Sequence, residues 1–485
     1  MIDNTTKKNI LFILPDQLRA DFLSCYGADF IQTPNIDSIC EDGLRFERCV
    51  SPHPLCVPAR AAMMTGRNAI RNGVMFNDCW LRPDHSECGV DTWPQKLAAA
   101  GYHTEAIGKM HFYPWDASEG FTHRIIAEDK RFTYIQDDYS EYLQSKGLRR
   151  LHGVEQPGYT ENKGASQGVE FDDQIDNWVG GKACEFIDTY DSEKPFALMV
   201  GFPGPHCPYD PPADFANEFD EADMPASIPA TDDSRVFKDF FVKGFKGEWC
   251  QLDYSDFPED CKRRLRSHYC TLIKIIDNQI GNMISSLKKR DMLKDTVIIF
   301  ASDHGDLLGD YDLMGKHYFY ETSMRVPLLI KHPSCSGSQT VDSLVSLTDI
   351  TSTILTLAGL EAVTGCDSIR LCDDRGNATA GREYVFGCSD LGFMIADKEW
   401  KLCRYRNGST HLFNLKQDPA EQDNLALNPV FARQKERLDA LLQKELALSI
   451  VDANLDKVVP EFTGLGRGDF GMRDWKRVYP NSKKY

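Results

Sequence analysis

Apolar and polar positions fall into blocks along the chain, and the blocks read alternately as strands and helices. Residues 10–14 (ILFIL) form a short apolar run with β-branched members, a buried strand. Thr33-Pro34 opens a helix with Ile36, Ile39 and Cys40 facing inward and Gly43 as its stop. A second helix covers 92–100, with Gln95 three residues after the capping Thr92 and Gly101 at its end. Strands are expected at 102–107 and 196–202. The stretch between them, 115–190, is charged and aromatic without a regular period, and reads as a long excursion from the core. Residues 260–290 carry a helical apolar stripe: Leu265, Tyr269, Leu272, Ile273, Ile276, Ile280, Met283, Ile284 and Leu287. Strands at 296–301 and 326–330 and a helix over 350–357 complete this part.

The alternation predicts an α/β fold: a large, mostly parallel sheet sandwiched by helices. Beyond residue 360 the pattern changes. Short strands at 384–386, 392–396, 400–405 and 411–415 predict a small antiparallel sheet. Two units follow, an α/β domain over 1–360 and a C-terminal subdomain over 361–485. The latter ends in a tail with Phe462, Phe470, Trp475 and Tyr479, expected to wrap the body or to contact a second copy in a homo-oligomer. Polar groups at 16–17, 109–111, 206 and 303–304 each follow a predicted strand. Ligands of open α/β sheets bind outside the carboxyl ends of the strands, so one sheet edge is expected to collect these groups.

The bulk numbers narrow the class. The chain has 485 residues and a formal net charge of −18. That charge argues against nucleic acid as a partner and requires any anion site to concentrate its own cations. No window approaches the ~18 apolar residues of a membrane span. The polar start, 1–8, carries no signal-type apolar run, and the 16 cysteines show no repeated spacing. Together these predict a cytoplasmic protein with reduced thiols.

The segment 56–67 (CVPARAAMMTGR) carries the most chemistry. Pro58 suits the first turn of a short helix and Gly66 its end. Cys56 then sits at a helix N-terminus, where the dipole and free N–H groups favour anions and lower a thiol's pKa. On the residues alone, Cys56 is either a thiolate nucleophile or a buried structural cysteine.

Cys56-x-Pro58-x-Arg60 followed by Thr65-Gly66-Arg67 resembles the signature of the sulfatases in the alkaline-phosphatase superfamily. The resemblance extends in order and spacing from residue 9 to about 425. It takes in Asp16 after the first strand, Gly108-Lys109-Met110-His111, Pro205-His206-x-Pro208, Ser302-Asp303-His304-Gly305, Gly315-Lys316-His317 and Asp418-Pro419. It implies an alkaline-phosphatase-like fold with the catalytic domain over 1–360, and a sulfuric ester hydrolase. It further implies that a formylglycine-generating enzyme converts Cys56 to formylglycine, whose hydrate attacks sulfur and later expels sulfate. The implied metal ligands are Asp16, Gln17, Cys56, Asp303 and His304. Arg60, Lys109 and Lys316 would neutralise the sulfuryl oxygens. His206 would protonate the leaving oxygen, and His111 would assist release of sulfate. The substrate is a sulfated small molecule or saccharide.

Two positions depart from the common pattern. Gln17 stands where a second aspartate is frequent, and His304 where asparagine is frequent. Calcium is the cation expected, with Mn²⁺ or Mg²⁺ as alternatives; the amide of Gln17 and the imidazole of His304 are departures that would shift the preference toward Mn²⁺ or another imidazole-tolerant ion. A phosphonate monoester or phosphodiester hydrolase on the same scaffold is the alternative, and a catalytically silent binding protein is the third reading. His317, Asn77 and Asp78 are further candidates for the pocket. Trp80, Trp115, Trp178 and Trp249 are candidate faces for a sugar ring. The 288–290 Lys-Lys-Arg run reads as a solvated helix end, and Cys25, Cys40 and Cys49 as core.

Overall fold

The computed structural model describes residues 7–361, 363 and 365–455. Its main sheet contains β1 (Asn9–Asp16), β2 (Gly43–Val50), β3 (His103–Gly108), β4 (His123–Ile126), β5 (Phe196–Pro205), β6 (Thr296–Ala301), β7 (Arg325–Val326), β8 (Leu328–Lys331) and β9 (Gln339–Ser346). They lie in the order β4-β3-β5-β1-β6-β8-β2-β7, with β9 paired to β2. From β4 to β6 every neighbouring pair is parallel. β8 runs antiparallel to both β6 and β2. The sheet is therefore mixed and mostly parallel. The strand expected at 326–330 is broken in two, because Pro327 has no N–H to give the ladder.

β1 is buried on both faces, and its side chains alternate between two cores. Leu11 and Ile13 join Leu198, Val200, Ile298 and Phe300 in packing against the helices Pro34–Glu41, Ile175–Thr189 and Glu259–Lys289. Ile10, Phe12 and Leu14 face the other way, with Met63, Trp93, Leu97, Ile350 and Ile354 from the helices Cys56–Thr65, Trp93–Ala99 and Asp349–Leu357. Each such side chain contributes roughly 1.5–3 kcal/mol on burial. All nine residues of the stripe read in 260–290 are buried.

Three local readings are corrected. The stretch 115–190 is not wholly an excursion: β4 extends the sheet edge, and Ile175–Thr189 packs on Glu259–Lys289 and β5. Ile175, Trp178, Val179, Ala183 and Ile187 keep a helical spacing on that helix's buried face, and Gly180 allows close approach, since a Cβ there would lie 2.4 Å from Gln279 Cγ. The helix Pro34–Glu41 is not capped by Thr33. Asp277 of the long helix accepts the N–H groups of Asn35 and Ile36 at 3.0 and 2.8 Å instead. Gly43 is not that helix's stop but the first residue of β2, pressed against the Ile330 carbonyl.

A separate antiparallel meander comprises β10 (Val385–Ser389), β11 (Gly392–Ala396), β12 (Trp400–Tyr405) and β13 (Thr410–Asn414). The helix Ala432–Leu455 covers it through Leu438 and Leu442, against Cys388, Ile395, Leu402 and Leu412. The tail with Phe462, Phe470, Trp475 and Tyr479 lies outside the described residues. Among the described residues no helix is long and apolar enough to cross a membrane.

Candidate active site

Because β3, β5, β1 and β6 are parallel neighbours, their carboxyl ends share one edge. β1 delivers Asp16 and Gln17, β3 Lys109 and His111, β5 His206, and β6 Asp303 and His304. The predicted clusters therefore meet. Gln17 and His111 hold φ of 69° and 58°, a left-handed geometry that costs a non-glycine residue roughly 1–3 kcal/mol and aims its side chain off the strand axis. Cys56 enters from a different element, the N-terminal residue of the helix Cys56–Thr65. Asn77 Oδ1 accepts the Val57 N–H at 3.2 Å, so Asn77 steadies that helix start. Gly201 lets the strand past the site: a Cβ there would lie 2.0 Å from the Lys109 carbonyl oxygen.

At the centre, Cys56 Sγ lies 2.9 Å from Lys316 Nζ, 3.2 Å from His304 Nε2 and 3.7 Å from Asp16 Oδ1. Arg60 ties the two metal-type carboxylates together, reaching Asp16 at 3.1 Å and Asp303 at 2.9 Å. Lys109 Nζ bridges Asp16 at 2.9 Å and Asp129 at 2.7 Å. Gln17 donates to Asp306 through its amide nitrogen and accepts from Lys316 through Oε1 at 2.8 Å. His206 Nδ1 donates to the Cys207 carbonyl at 2.7 Å, and its Nε2 faces Arg131 Nη2 at 3.4 Å. All ten residues read from the sequence lie in this constellation.

The donor set fits a divalent cation. One ligand atom from each of Asp16, Cys56, Asp303 and His304 lies within 4.8 Å of the others, all buried. His304 Nδ1 donates to the Gly305 carbonyl at 2.9 Å, which leaves the lone pair on Nε2, the nitrogen turned inward. The Lys316 ammonium collects Cys56 Sγ, Gln17 Oε1 and His304 Nε2 within 3.2 Å, so these atoms already converge on one positive centre.

Burial and charge set the protonation states. Burial disfavours an ionised Asp16, but Lys109, His206, Arg60 and Lys316 outweigh it and hold the carboxyl well below its usual range. Burial, reinforced by Lys316, brings His304 down to about 4 against the pull of Asp303 and Asp16; it is neutral, as a ligand must be. His206 is also pushed well down by burial, then by Lys316, Arg131 and Lys109. Burial lowers His111 too, with Lys109 adding to it. Burial raises the Asp306 carboxyl, although Tyr209 and Gln17 donate to it.

Asp129, Arg131 and Asp306 are site residues that the sequence reading did not select. Asp306 carried a signal, three residues after Asp303 in the same segment. Asp129 and Arg131 carried none, because they come from the irregular stretch 115–190. Of the further candidates, His317 lies with its Nδ1 3.6 Å from Asp390 Oδ1, and Lys288 and Lys289 occupy the last turn of the long helix. Trp178 is in the core, whereas Trp249 is 42% exposed and stacks on Arg131.

A doubly covered α/β sheet gathers buried carboxylates, an imidazole and a helix-borne cysteine at its carboxyl edge, the equipment of a metal-assisted hydrolase. A family model described as Sulfatase matches residues 8–360, and one described as N-sulphoglucosamine sulphohydrolase, C-terminal, matches 309–447. The chain belongs to the sulfatase family, the hydrolases of sulfuric esters. It is 29% identical over 481 residues to an arylsulfatase of Clostridium perfringens, covering 91% of this chain and 94% of that one. It is 29% identical over 443 residues to a choline-sulfatase of Rhizobium meliloti, covering 88% and 83%. Among solved structures, the phosphonate monoester hydrolase of Agrobacterium radiobacter superposes with a TM-score of 0.78 at 23% identity, over 92% of this chain and 96% of that one, which speaks for the fold.

Proposed function

We propose that the enzyme cleaves the sulfate monoester of a small organic alcohol, phenol or saccharide with a nucleophile made from Cys56. Asp16, Gln17, Asp303, His304 and the matured residue 56 would hold a divalent cation. The observation that carries the reading is the place of Cys56: fully buried at a helix N-terminus, its Sγ faces Lys316, His304 and Asp16 rather than apolar neighbours. The relatives named arylsulfatase and choline-sulfatase favour a compact leaving group.

Matured to formylglycine and with the cation bound, the site supplies a hydroxyl nucleophile and Lewis-acid polarisation of a sulfuryl oxygen. The chain's own residues do the rest. Arg60 ties Asp16 to Asp303, which would fix both carboxylates where the cation binds, and it helps Lys109 and Lys316 to keep Asp16 ionised. Lys109 and Lys316 offset the charge that grows on the sulfuryl oxygens. His206, fixed through Nδ1, presents Nε2 for proton delivery to the leaving oxygen. With the proton of the neutral ring on Nδ1, Nε2 must take one up before it can deliver it; burial first, then Lys316, Arg131 and Lys109, oppose that uptake, and the negative charge of a bound ester works the other way. His111 stands beside position 56 and accepts the proton of the hydroxyl whose loss releases sulfate. The imidazole in the donor set favours Mn²⁺ over Ca²⁺.

Peptide mass spectrometry across residues 49–67 after co-expression with a formylglycine-generating enzyme tests the nucleophile. Conversion of Cys56, followed by cation-dependent release of sulfate from 4-nitrophenyl sulfate, is the expected result. Faster turnover of a phenyl phosphonate monoester would move the assignment to phosphonate chemistry. A thiol that never converts, with no turnover of either ester, would leave a binding protein.

A further inference from the structure

We infer that Arg131, Phe132, Tyr134 and Trp249 form the leaving-group subsite, and that it accepts a ring-shaped leaving group bearing a second anionic substituent. This rests on the sulfatase reading and narrows its substrate class.

Two loops build the wall. The first follows β4. It contributes Asp129 to Lys109 and, two residues on, Arg131, whose Nη2 faces His206 Nε2 at 3.4 Å. Arg131 is therefore beside the group that serves the leaving oxygen. Phe132 continues the wall, its ring centroid 5.9 Å from that of His111. Tyr134, 64% exposed, extends it outward, 5.6 Å from Phe132 between centroids. The second loop comes from the opposite side. Phe245 is pressed on Gly315, immediately before Lys316: a Cβ on Gly315 would meet the ring at 2.9 Å. Trp249 stacks 4.9 Å from Phe245 and lies 5.2 Å from the Arg131 guanidinium. The aromatic arc thus runs from the Lys316 loop to the Arg131 loop, past His206, and leaves Trp249 42% exposed.

This surface has two properties. Exposed aromatic faces beside a reacting centre favour a flat ring, aromatic or pyranose, over an acyclic chain. The charge is the second. Arg60, Lys109, Arg131 and Lys316 face Asp16, Asp129, Asp303 and Asp306, four cations against four carboxylates, so a bound divalent cation would leave the site positive. A sulfate monoester brings a single negative charge. Arg131 keeps 13% of its side chain exposed, and its Nε and Nη2 are held by Asp129 at 2.9 Å. Its remaining Nη1 edge is the donor available to a carboxylate or second sulfate on the ring.

The test compares matured wild type with Trp249→Ala and Tyr134→Ala, both at exposed positions, on four probes: ethyl sulfate, phenyl sulfate, 3-carboxyphenyl sulfate and a sulfated glucuronic acid. The two anionic ring esters are expected to show kcat/KM at least about tenfold above phenyl sulfate. Trp249→Ala is expected to raise their KM about tenfold with kcat held, and to change ethyl sulfate less than about twofold. Preference between the aryl and sugar acids identifies the ring. Equal effects of Trp249→Ala on all four probes, or none on any, would overturn the subsite. Calorimetric binding of 3-carboxyphenyl sulfate to Cys56→Ala, with and without Trp249→Ala, reads the same subsite without turnover. Loss of turnover with this binding difference intact would count against the Cys56 chemistry and not against the subsite; no difference would overturn the subsite.

Discussion

Lys109 Nζ lies 2.7 Å from Asp129 Oδ2, and the same ammonium lies 2.9 Å from Asp16. An aspartate from the irregular stretch after β4 therefore sets the position of a lysine that flanks the cation site. Both side chains are buried, and breaking a buried pair from one side leaves an uncompensated charge. Asp129→Asn is expected to lower kcat about 10–100-fold, with a smaller change in KM, because Lys109 loses its aim rather than its charge. Steady-state kinetics on 4-nitrophenyl sulfate checks this. Retention of full kcat would show that Asp16 alone positions Lys109.

The same aspartate gives a pH prediction. Burial opposes its ionisation, but Arg131 and Lys109 hold its carboxyl well below the usual range. A depressed folded-state pKa contributes stability that is full above the unfolded value, near 4, and lost as pH falls toward the folded one. Thermal unfolding from pH 6 to pH 3 should therefore show a steep acid loss in wild type and a shallower one in Asp129→Asn.

Glu421 behaves in the opposite sense. Lys401 lies between Glu421 and Glu321, and Arg48 pairs with Glu321 as well, which leaves Glu421 the less neutralised of the two buried carboxylates. Burial, with Glu321 adding to it, pushes Glu421 up to about 7 despite Lys401, while Lys401 and Arg48 overcome burial and bring Glu321 down to about 2. The native state keeps a proton on Glu421 that the unfolded chain releases near 4.5, so this contribution is full below 4.5 and is lost as pH rises to 7. Glu421→Gln should flatten the fall in melting temperature between pH 5 and 7, as differential scanning calorimetry would reveal.

Removal of the imidazole tests the cation site apart from turnover. His304→Ala is expected to weaken Mn²⁺ binding by about 10–100-fold. His304→Asn should restore binding and shift the preference toward Ca²⁺. Metal content by inductively coupled plasma spectrometry and melting temperature with and without EDTA are the readouts. Unchanged Mn²⁺ affinity in His304→Ala would remove this residue from the donor set.

Gly201 offers a structural test. A Cβ would meet backbone, the Lys109 carbonyl oxygen, at 2.0 Å, and no rotamer change relieves that. Gly201→Ala should cost about 3 kcal/mol in urea unfolding and displace Lys109.

Strands β1, β3, β5 and β6 and the chemistry at their ends were legible because both are local, whereas β2, β4 and β9 were not read. A run such as 10–14 must be a buried strand, and the polar pair behind it must lie at the strand's carboxyl end. Parallel neighbours then bring Asp16, Lys109, His206 and Asp303 to one edge. The helix Ile175–Thr189 was missed although Ile175, Trp178, Val179, Ala183 and Ile187 keep a helical spacing; Gly180 and Gly181 in its middle weaken the local propensity. Asp129 and Arg131 were not legible either. Their stretch has no period, and their partners Lys109 and His206 are 20 and 75 residues away.

The sequence by itself determined strands β1, β3, β5 and β6, the sheet edge that collects polar groups and the cysteine at a helix start. These depend on side-chain period, on caps and on neighbours within a few residues. The tertiary structure alone decided which cations flank the site, which His304 nitrogen turns inward, and that two distant loops close an aromatic wall around Arg131. Such relations are set by packing between segments far apart in the chain, where a displacement of one ångström makes or breaks a hydrogen bond and no local pattern records it.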